Sequence, residues 1–288
     1  MLAEIRTLGF EYAELGHGVR MSLVDGIQRA VAAGEIKISS LHNFCPLPLS
    51  ANGPAPDYYL PSSPKEGERS MAVRHTVRTI DFAASLGARA VVLHLGLVPM
   101  RGYTRQLVQL FADGLAETPK FLRLRNKAIA VRARKRQRFF DHVIRTLELV
   151  VPHARAHKIV LGVETRYGIE EIPDADETTE IMARFGDSVA YWHDVGHAQI
   201  KENLGVTTHE ALLERFRGRT AGMHLQDFAP PVYDHQPPGI GTFDFGRLSR
   251  FVTEGMVLAW EIHPGCKAEL IVDSVKRAHE QLRAPVNA

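Results

Sequence analysis

KIVLGVE, Lys158 to Glu164, is the stretch that decides the fold. Its five middle residues are uncharged and are Ile, Val, Leu or Gly, so both faces of the segment suit a dry interior. A strand buried on both faces belongs to a parallel sheet covered by helices. The run then ends on a carboxylate, Glu164, where an apolar strand has no use for one.

The same pattern recurs along the chain. FEYAEL (from Phe10), EIKISSLH (from Glu35), RAVVLHL (from Arg89), VAYWHD (from Val189), GMHLQD (from Gly222) and MVLAWEI (from Met256) read as further buried strands. Amphipathic stretches separate them: Ser70 to Leu86, Arg138 to His157, Thr178 to Phe185 and His209 to Phe216. Gly87 and Gly218 fall where helices should end, just before the next strand. Repeated strand–helix alternation over 288 residues predicts the α/β class. The expected architecture is a (β/α)8 TIM barrel built as one domain over residues 1–288. Seven strands are legible where such a barrel has eight. The chain opens with LAEIRTLG, which reads as the tail of a helix, so the first strand is expected to be missing. A start site placed too far downstream and a genuine seven-stranded or partner-completed barrel are both compatible with that opening.

Bulk composition narrows the class. With 45% hydrophobic and 24% charged residues the chain is an ordinary globular protein, and a net charge of +2 favours no class of charged partner. The two cysteines, Cys45 and Cys266, form no CxxC and imply neither a disulfide framework nor an oxidising compartment. The opening residues lack the apolar core of a signal peptide, and no run of about 20 apolar residues suits a membrane span. A cytoplasmic enzyme with no membrane partner is the expectation. Two segments interrupt the alternation. Residues 46–64 hold six prolines and read as a long ordered loop over one end of the barrel. Residues 120–138 carry nine Lys or Arg and no acid, which reads as a solvated face or extended helix, or else as a contact for phosphate.

Ionisable residues sit at the strand ends. Glu164 ends KIVLGVE, Asp194 ends VAYWHD, His224 lies in GMHLQD and Glu261 in MVLAWEI. Parallel strands deliver all four to one face, where barrel enzymes keep their sites. Three carboxylates brought together out of water repel, at a cost of several kcal/mol each unless a cation neutralises them. A divalent metal does so, and this O/N ligand set without thiolate suits Mn²⁺, Zn²⁺ or Co²⁺. His42 and His94, at the ends of their own strands, are candidates for a second metal beside Glu164, for substrate hydrogen bonds or for packing. His197, in HDVGH, is a metal ligand or substrate contact. Arg166, Glu170 and His235 are candidate substrate contacts. His193 and Asp227 alternate to the opposite side of their strands and are set apart from the site.

These segments resemble the xylose isomerase-like barrel superfamily, in particular its sugar isomerase and epimerase branch. The segments that carry the resemblance are GFEYAEL, SSLHNFCP, VVLHLG, VLGVETRYGIE, VAYWHDVGH, MHLQDF, HQPPGIGTFDF and LAWEIHPG, from Gly9 to Gly265. The resemblance implies a metal held by Glu164, Asp194, His224 and Glu261. It also implies a substrate-binding His197, and the two glutamates as an acid–base pair acting through an enediolate on a sugar, sugar phosphate or keto acid. Barrels of this family often pair, so a homo-oligomer is expected. The superfamily also includes type IV apurinic-site endonucleases, which use three zinc ions and extra histidines matching His42 and His94. Their third zinc needs an aspartate where this chain has Tyr233. Phosphodiester cleavage on nucleic acid is therefore the second reading, and a non-catalytic binding barrel the third.

Overall fold

The computed structural model describes residues 2–283. Seven strands of a parallel sheet alternate with helices, as KIVLGVE and its repeats imply. They are β1 (Tyr12–Leu15), β2 (Lys37–His42), β3 (Ala90–Leu93), β4 (Val160–Glu164), β5 (Val189–Asp194), β6 (Thr220–Leu225) and β9 (Val257–Trp260). Between β6 and β9 a hairpin intervenes, β7 (Asp227–Ala229) and β8 (Tyr233–Gln236), which the sequence pattern did not announce. The helices are α1 (Leu2–Thr7), α2 (Val24–Ala32), α3 (Glu66–Ser85), α4 (Tyr103–Ala112), α5 (Pro119–Ala156), α6 (Ala175–Phe185), α7 (Val195–Asn203), α8 (His209–Arg215) and α9 (Ala268–Arg283). Among the described residues α1 comes first, as the helix tail suggested, and no strand precedes it. No described helix is long and apolar enough to cross a membrane.

The chain divides into two compact units. The first takes in the residues up to Val98, Lys135–Glu164 and Glu171–Trp192; the second takes in Pro99–Arg134, Thr165–Glu170 and the residues from His193 on.

In the first unit β1 to β5 pair in parallel, each with the next, so that Leu161 faces Val189 and Glu164 faces Trp192 across β4 and β5. Leu15, Ile38, Leu41, Val91, Val92, Leu161 and Val163 are buried on these strands, and Ile80, Phe140, Leu147 and Val151 on α3 and α5. Removing such side chains from water is worth roughly 1.5–3 kcal/mol each. Gly162 is required by close packing: a Cβ there would stand 2.8 Å from Cε3 of the buried Trp192. Gly87 ends α3 with φ +69°, the left-handed conformation expected of a helix-terminating glycine. The proline-rich loop is tied down. Ser62 Oγ accepts from Leu97 N–H at 2.9 Å and donates to Leu97 C=O at 3.0 Å, and Thr146 Oγ1 donates to Pro61 C=O at 3.2 Å. The basic run lies inside α5, as an extended helix was expected to place it. Arg132 is buried, and Arg136 reaches the buried Glu177 at 3.4 Å.

In the second unit β6 and β9 pair in parallel, with His224 opposite Ala259. The hairpin is anchored by Asp227, which is buried and accepts four backbone N–H groups: Phe228 (2.7 Å), Gly239 (2.7 Å), Gly241 (3.0 Å) and Phe243 (2.9 Å). Gly241 lets the turn close, since a Cβ there would meet Asp227 Oδ1 at 2.4 Å. Asp227 thus organises the turn after β8.

His193 faces away from its neighbour Asp194, against His209 at 3.0 Å between ring nitrogens. Burial holds both imidazoles neutral. It pushes His193 well below the usual value and His209 down to about 4. A histidine whose folded pKa lies below its unfolded value takes up its proton first in the unfolded chain. Its stabilising contribution is therefore complete above about 6.5 and is lost as pH falls toward 4. The denaturant midpoint is expected to drop between pH 7.5 and pH 5, and to drop less steeply in His209→Gln. Equal pH slopes for parent and variant would contradict this assignment.

Candidate metal centre

Each unit gathers one cluster of ligand-type side chains at strand ends. In the first unit these are His42 and Glu164, the last residues of β2 and β4, and His94, just beyond β3. All three are buried, and their ligand atoms lie within 4.8 Å of one another. Both histidines aim Nε2 at the same oxygen, Glu164 Oε2, His94 at 2.6 Å and His42 at 3.7 Å. Their other nitrogens are held from behind, His94 Nδ1 by Asp57 Oδ1 at 3.1 Å and His42 Nδ1 by the Asn43 carbonyl at 3.2 Å. An acceptor behind Nδ1 fixes the tautomer with its proton there and turns Nε2 forward as a ligand. Asp57 comes from the proline-rich loop, so that loop carries a working residue. No feature of the sequence singles Asp57 out among polar loop residues.

In the second unit Asp194, His224 and Glu261 converge, again with ligand atoms within 4.8 Å of one another. His224 Nδ1 stands 3.6 Å from Asp194 Oδ2 and 3.2 Å from Glu261 Oε2. Asp194 and His224 are fully buried, while the Glu261 side chain keeps about 30% of its surface. The HDVGH motif places them by helix capping. Asp194 is the N-cap of α7, and its Oδ1 accepts the His197 N–H at 2.7 Å, which is the three-residue spacing of a cap. Gln226, two residues after His224, donates to the same Oδ1 at 2.8 Å. Gly196 makes room for it: a Cβ there would fall 2.5 Å from Gln226 Nε2 and 2.7 Å from Asp234 Cβ.

With Oδ1 doubly bonded, Asp194 Oδ2 is left buried without a hydrogen bond. Such an atom costs about 1–3 kcal/mol, more when charged, unless something neutralises it. Asp194, His224 and Glu261 could hold a divalent cation that would remove that cost, and a set without thiolate suits Mn²⁺, Zn²⁺ or Co²⁺. These residues fit a metal.

The remaining candidates divide. His197 is buried, and its Nδ1 meets the Thr165 carbonyl at 3.0 Å, with the buried Arg166 guanidinium at 3.5 Å. The Tyr167 ring lies 5.6 Å from the His197 ring. His235 joins Glu261, Nε2 to Oε1 at 3.5 Å, from a strained position at φ +56° in the hairpin. Burial opposes charge on His235, but Asp234, at 2.9 Å, and Glu261 outweigh it and lift the imidazole to about 10. Glu170 is placed differently from the substrate contact expected of it. Its carboxylate accepts N–H bonds from Tyr103 (2.6 Å) and Thr104 (3.0 Å) and the Thr104 hydroxyl, so it caps the start of α4. Nothing in the sequence marks Gln226 or Asp234, because one amide after a strand and one acid in a short hairpin strand look like any polar residues.

A sequence profile of the family described as xylose isomerase-like TIM barrel matches residues 2–263. No curated protein sequence matches the chain. Among solved structures, 3-keto-D-glucoside 4-epimerase from E. coli is 14% identical with a TM-score of 0.67, the match covering 96% of this chain and 92% of that one. D-psicose 3-epimerase from Clostridium cellulolyticum H10, solved with D-tagatose, is 12% identical with a TM-score of 0.64, covering 98% and 91%. A Thermus thermophilus protein soaked with zinc chloride is 19% identical with a TM-score of 0.57, covering 96% and 90%. At such identities the likeness is one of fold. The profile spans nearly the whole chain, and on that ground the chain belongs to the xylose isomerase-like TIM barrel family.

Proposed function

We propose that this protein is a divalent-metal-dependent isomerase or epimerase of a sugar, sugar phosphate or keto acid. Glu164, Asp194, His224 and Glu261 would hold the ion. The observation that carries this reading is Asp194 Oδ2, a buried carboxylate oxygen with no hydrogen bond, facing an imidazole nitrogen and a second carboxylate. The family and the sugar epimerases of like fold support it.

When bound, the ion supplies polarisation of a substrate carbonyl or hydroxyl, which acidifies the adjacent C–H. The chain's own residues do the rest. One of the two glutamates accepts the carbon-bound proton as a general base. The other, protonated, returns a proton. Delivery to the opposite face of the same carbon inverts it, which is epimerisation. Delivery to the former carbonyl carbon, with the hydroxyl proton moving to the carbonyl oxygen, is isomerisation. His197, with Nδ1 bonded to the Thr165 carbonyl, presents Nε2 to a substrate hydroxyl. Arg166 adds a buried positive charge for a polyhydroxyl or anionic group. His235 stands beside Glu261, Nε2 to Oε1 at 3.5 Å, where it can steer that carboxylate.

The test is incubation of the protein with Mn²⁺ or Co²⁺ in D₂O with a panel of keto sugars and their phosphates, read by NMR. Deuterium is expected at a carbon next to the carbonyl of at least one of them. No exchange into any would remove the proposal. Gly196→Ala is expected to push Gln226 off Asp194 and weaken metal binding roughly 10–100-fold, the usual effect of losing a group that orients a ligand. An unchanged titration curve for the added ion would show that Gln226 has no such role.

The His42–His94–Glu164 cluster favours a second reading, cleavage of a phosphodiester by a multi-metal site. Salt-dependent binding to abasic duplex DNA separates the two readings, because contacts to phosphate release counterions.

A further inference from the structure

The first unit holds another convergence of ligand atoms, away from the strand ends just described. We propose that Asp81, His153 and His157 form a surface site for a divalent transition-metal ion such as Zn²⁺. His153 and His157 lie four residues apart at the C-terminal end of α5, and the His157 N–H closes the last turn onto the His153 carbonyl at 3.2 Å. Residues at this spacing share one helix face. Both aim Nε2 at one oxygen of Asp81, which lies on α3. The distances to Asp81 Oδ1 are 2.7 Å from His153 and 3.5 Å from His157. The imidazole centroids are 4.6 Å apart, and the three ligand atoms lie within 4.8 Å of one another.

Two imidazoles and one carboxylate are a borderline ligand set that suits Zn²⁺, Co²⁺, Ni²⁺ or Cu²⁺ rather than Mg²⁺ or Ca²⁺. A helix C-terminus adds partial negative charge, which favours a cation there. The three side chains are about one-third to one-half exposed, so open coordination positions go to water. The location separates this cluster from the candidate centre. The end of α5 leads into the start of β4, whereas His42 and Glu164 end their strands and His94 lies just beyond one. The ion would clamp α3 to the last turn of α5 and serve the fold rather than the chemistry.

The experiment counts bound zinc after equilibrium dialysis of the full chain against dilute ZnCl₂, comparing the parent with His153→Gln/His157→Gln. The variant is expected to hold about one ion per chain fewer. Its far-ultraviolet circular dichroism and its deuterium exchange activity should match the parent's, because exposed imidazoles are replaced. As a second variant, Asp81→Asn should weaken the lost site roughly tenfold or more while leaving the remaining ions in place. Added ZnCl₂ should also raise the Tm of the parent more than that of the double variant. Equal zinc counts and equal Tm shifts in parent and double variant would overturn the site. They would identify Asp81, His153 and His157 as a surface ion pair only.

Discussion

Glu261→Gln and Glu164→Gln are each expected to lose roughly 10²–10⁴ of the rate of deuterium exchange into substrate, even with the metal site saturated. Glutamine keeps the length of the side chain and one oxygen able to ligate, but it can neither take up nor return a proton. Saturation with Mn²⁺ therefore separates the two parts each glutamate would play. The loss that added ion restores reports ligation, and the loss that persists reports proton carriage. Glu261 is the more exposed of the two, at about 30% against 1% for Glu164. Its replacement should perturb the fold less and give the cleaner comparison. Should either variant exchange as fast as the parent at saturating metal, that glutamate carries no proton.

The largest effect on stability is expected from Asp227→Ala, far in role from any chemistry. Its carboxylate accepts four backbone N–H groups, one from Phe228 beside it and three from the turn that follows the hairpin. Alanine leaves those donors pointing at an apolar methyl. Hydrogen bonds to a charged acceptor are worth about 1.5–3 kcal/mol each and do not add fully, so a loss on the order of 3–5 kcal/mol is expected. The same turn follows His235, so metal titration of the variant should also show a loosened Glu261 environment. Asp227→Asn, which keeps an accepting oxygen, should fall between. A denaturation free energy within about 0.5 kcal/mol of the parent, as for an ordinary surface change, would contradict the anchoring role.

The strands were legible because burial on both faces leaves an apolar run that nothing else explains. The ligand candidates were legible because ionisable groups end several apolar runs that a parallel sheet brings to one face. Strand alternation also separates His193, which meets His209, from its neighbour Asp194. The hairpin β7–β8 was not legible: its strands have three and four residues, too few for a period to show, and Pro230 and Pro231 lie between them. Glu170 has a partner that the sequence does not announce, for a related reason. Proximity in sequence to Glu164 suggested shared chemistry, whereas its carboxylate is taken by the N-terminus of α4, a helix some 60 residues earlier in the chain. Asp57 and Gln226 act on other side chains, and a residue that orients a ligand has no pattern of its own to reveal it.

The proposed chemistry requires a divalent ion among Asp194, His224, Glu261 and Glu164. Anomalous diffraction from crystals soaked in MnCl₂, collected at a wavelength where manganese scatters anomalously, tests that directly. The expected result is a peak bonded to Asp194 Oδ2, His224 Nδ1 and an oxygen of each glutamate. A map with no peak among these side chains, from crystals in which they are well ordered, would contradict it.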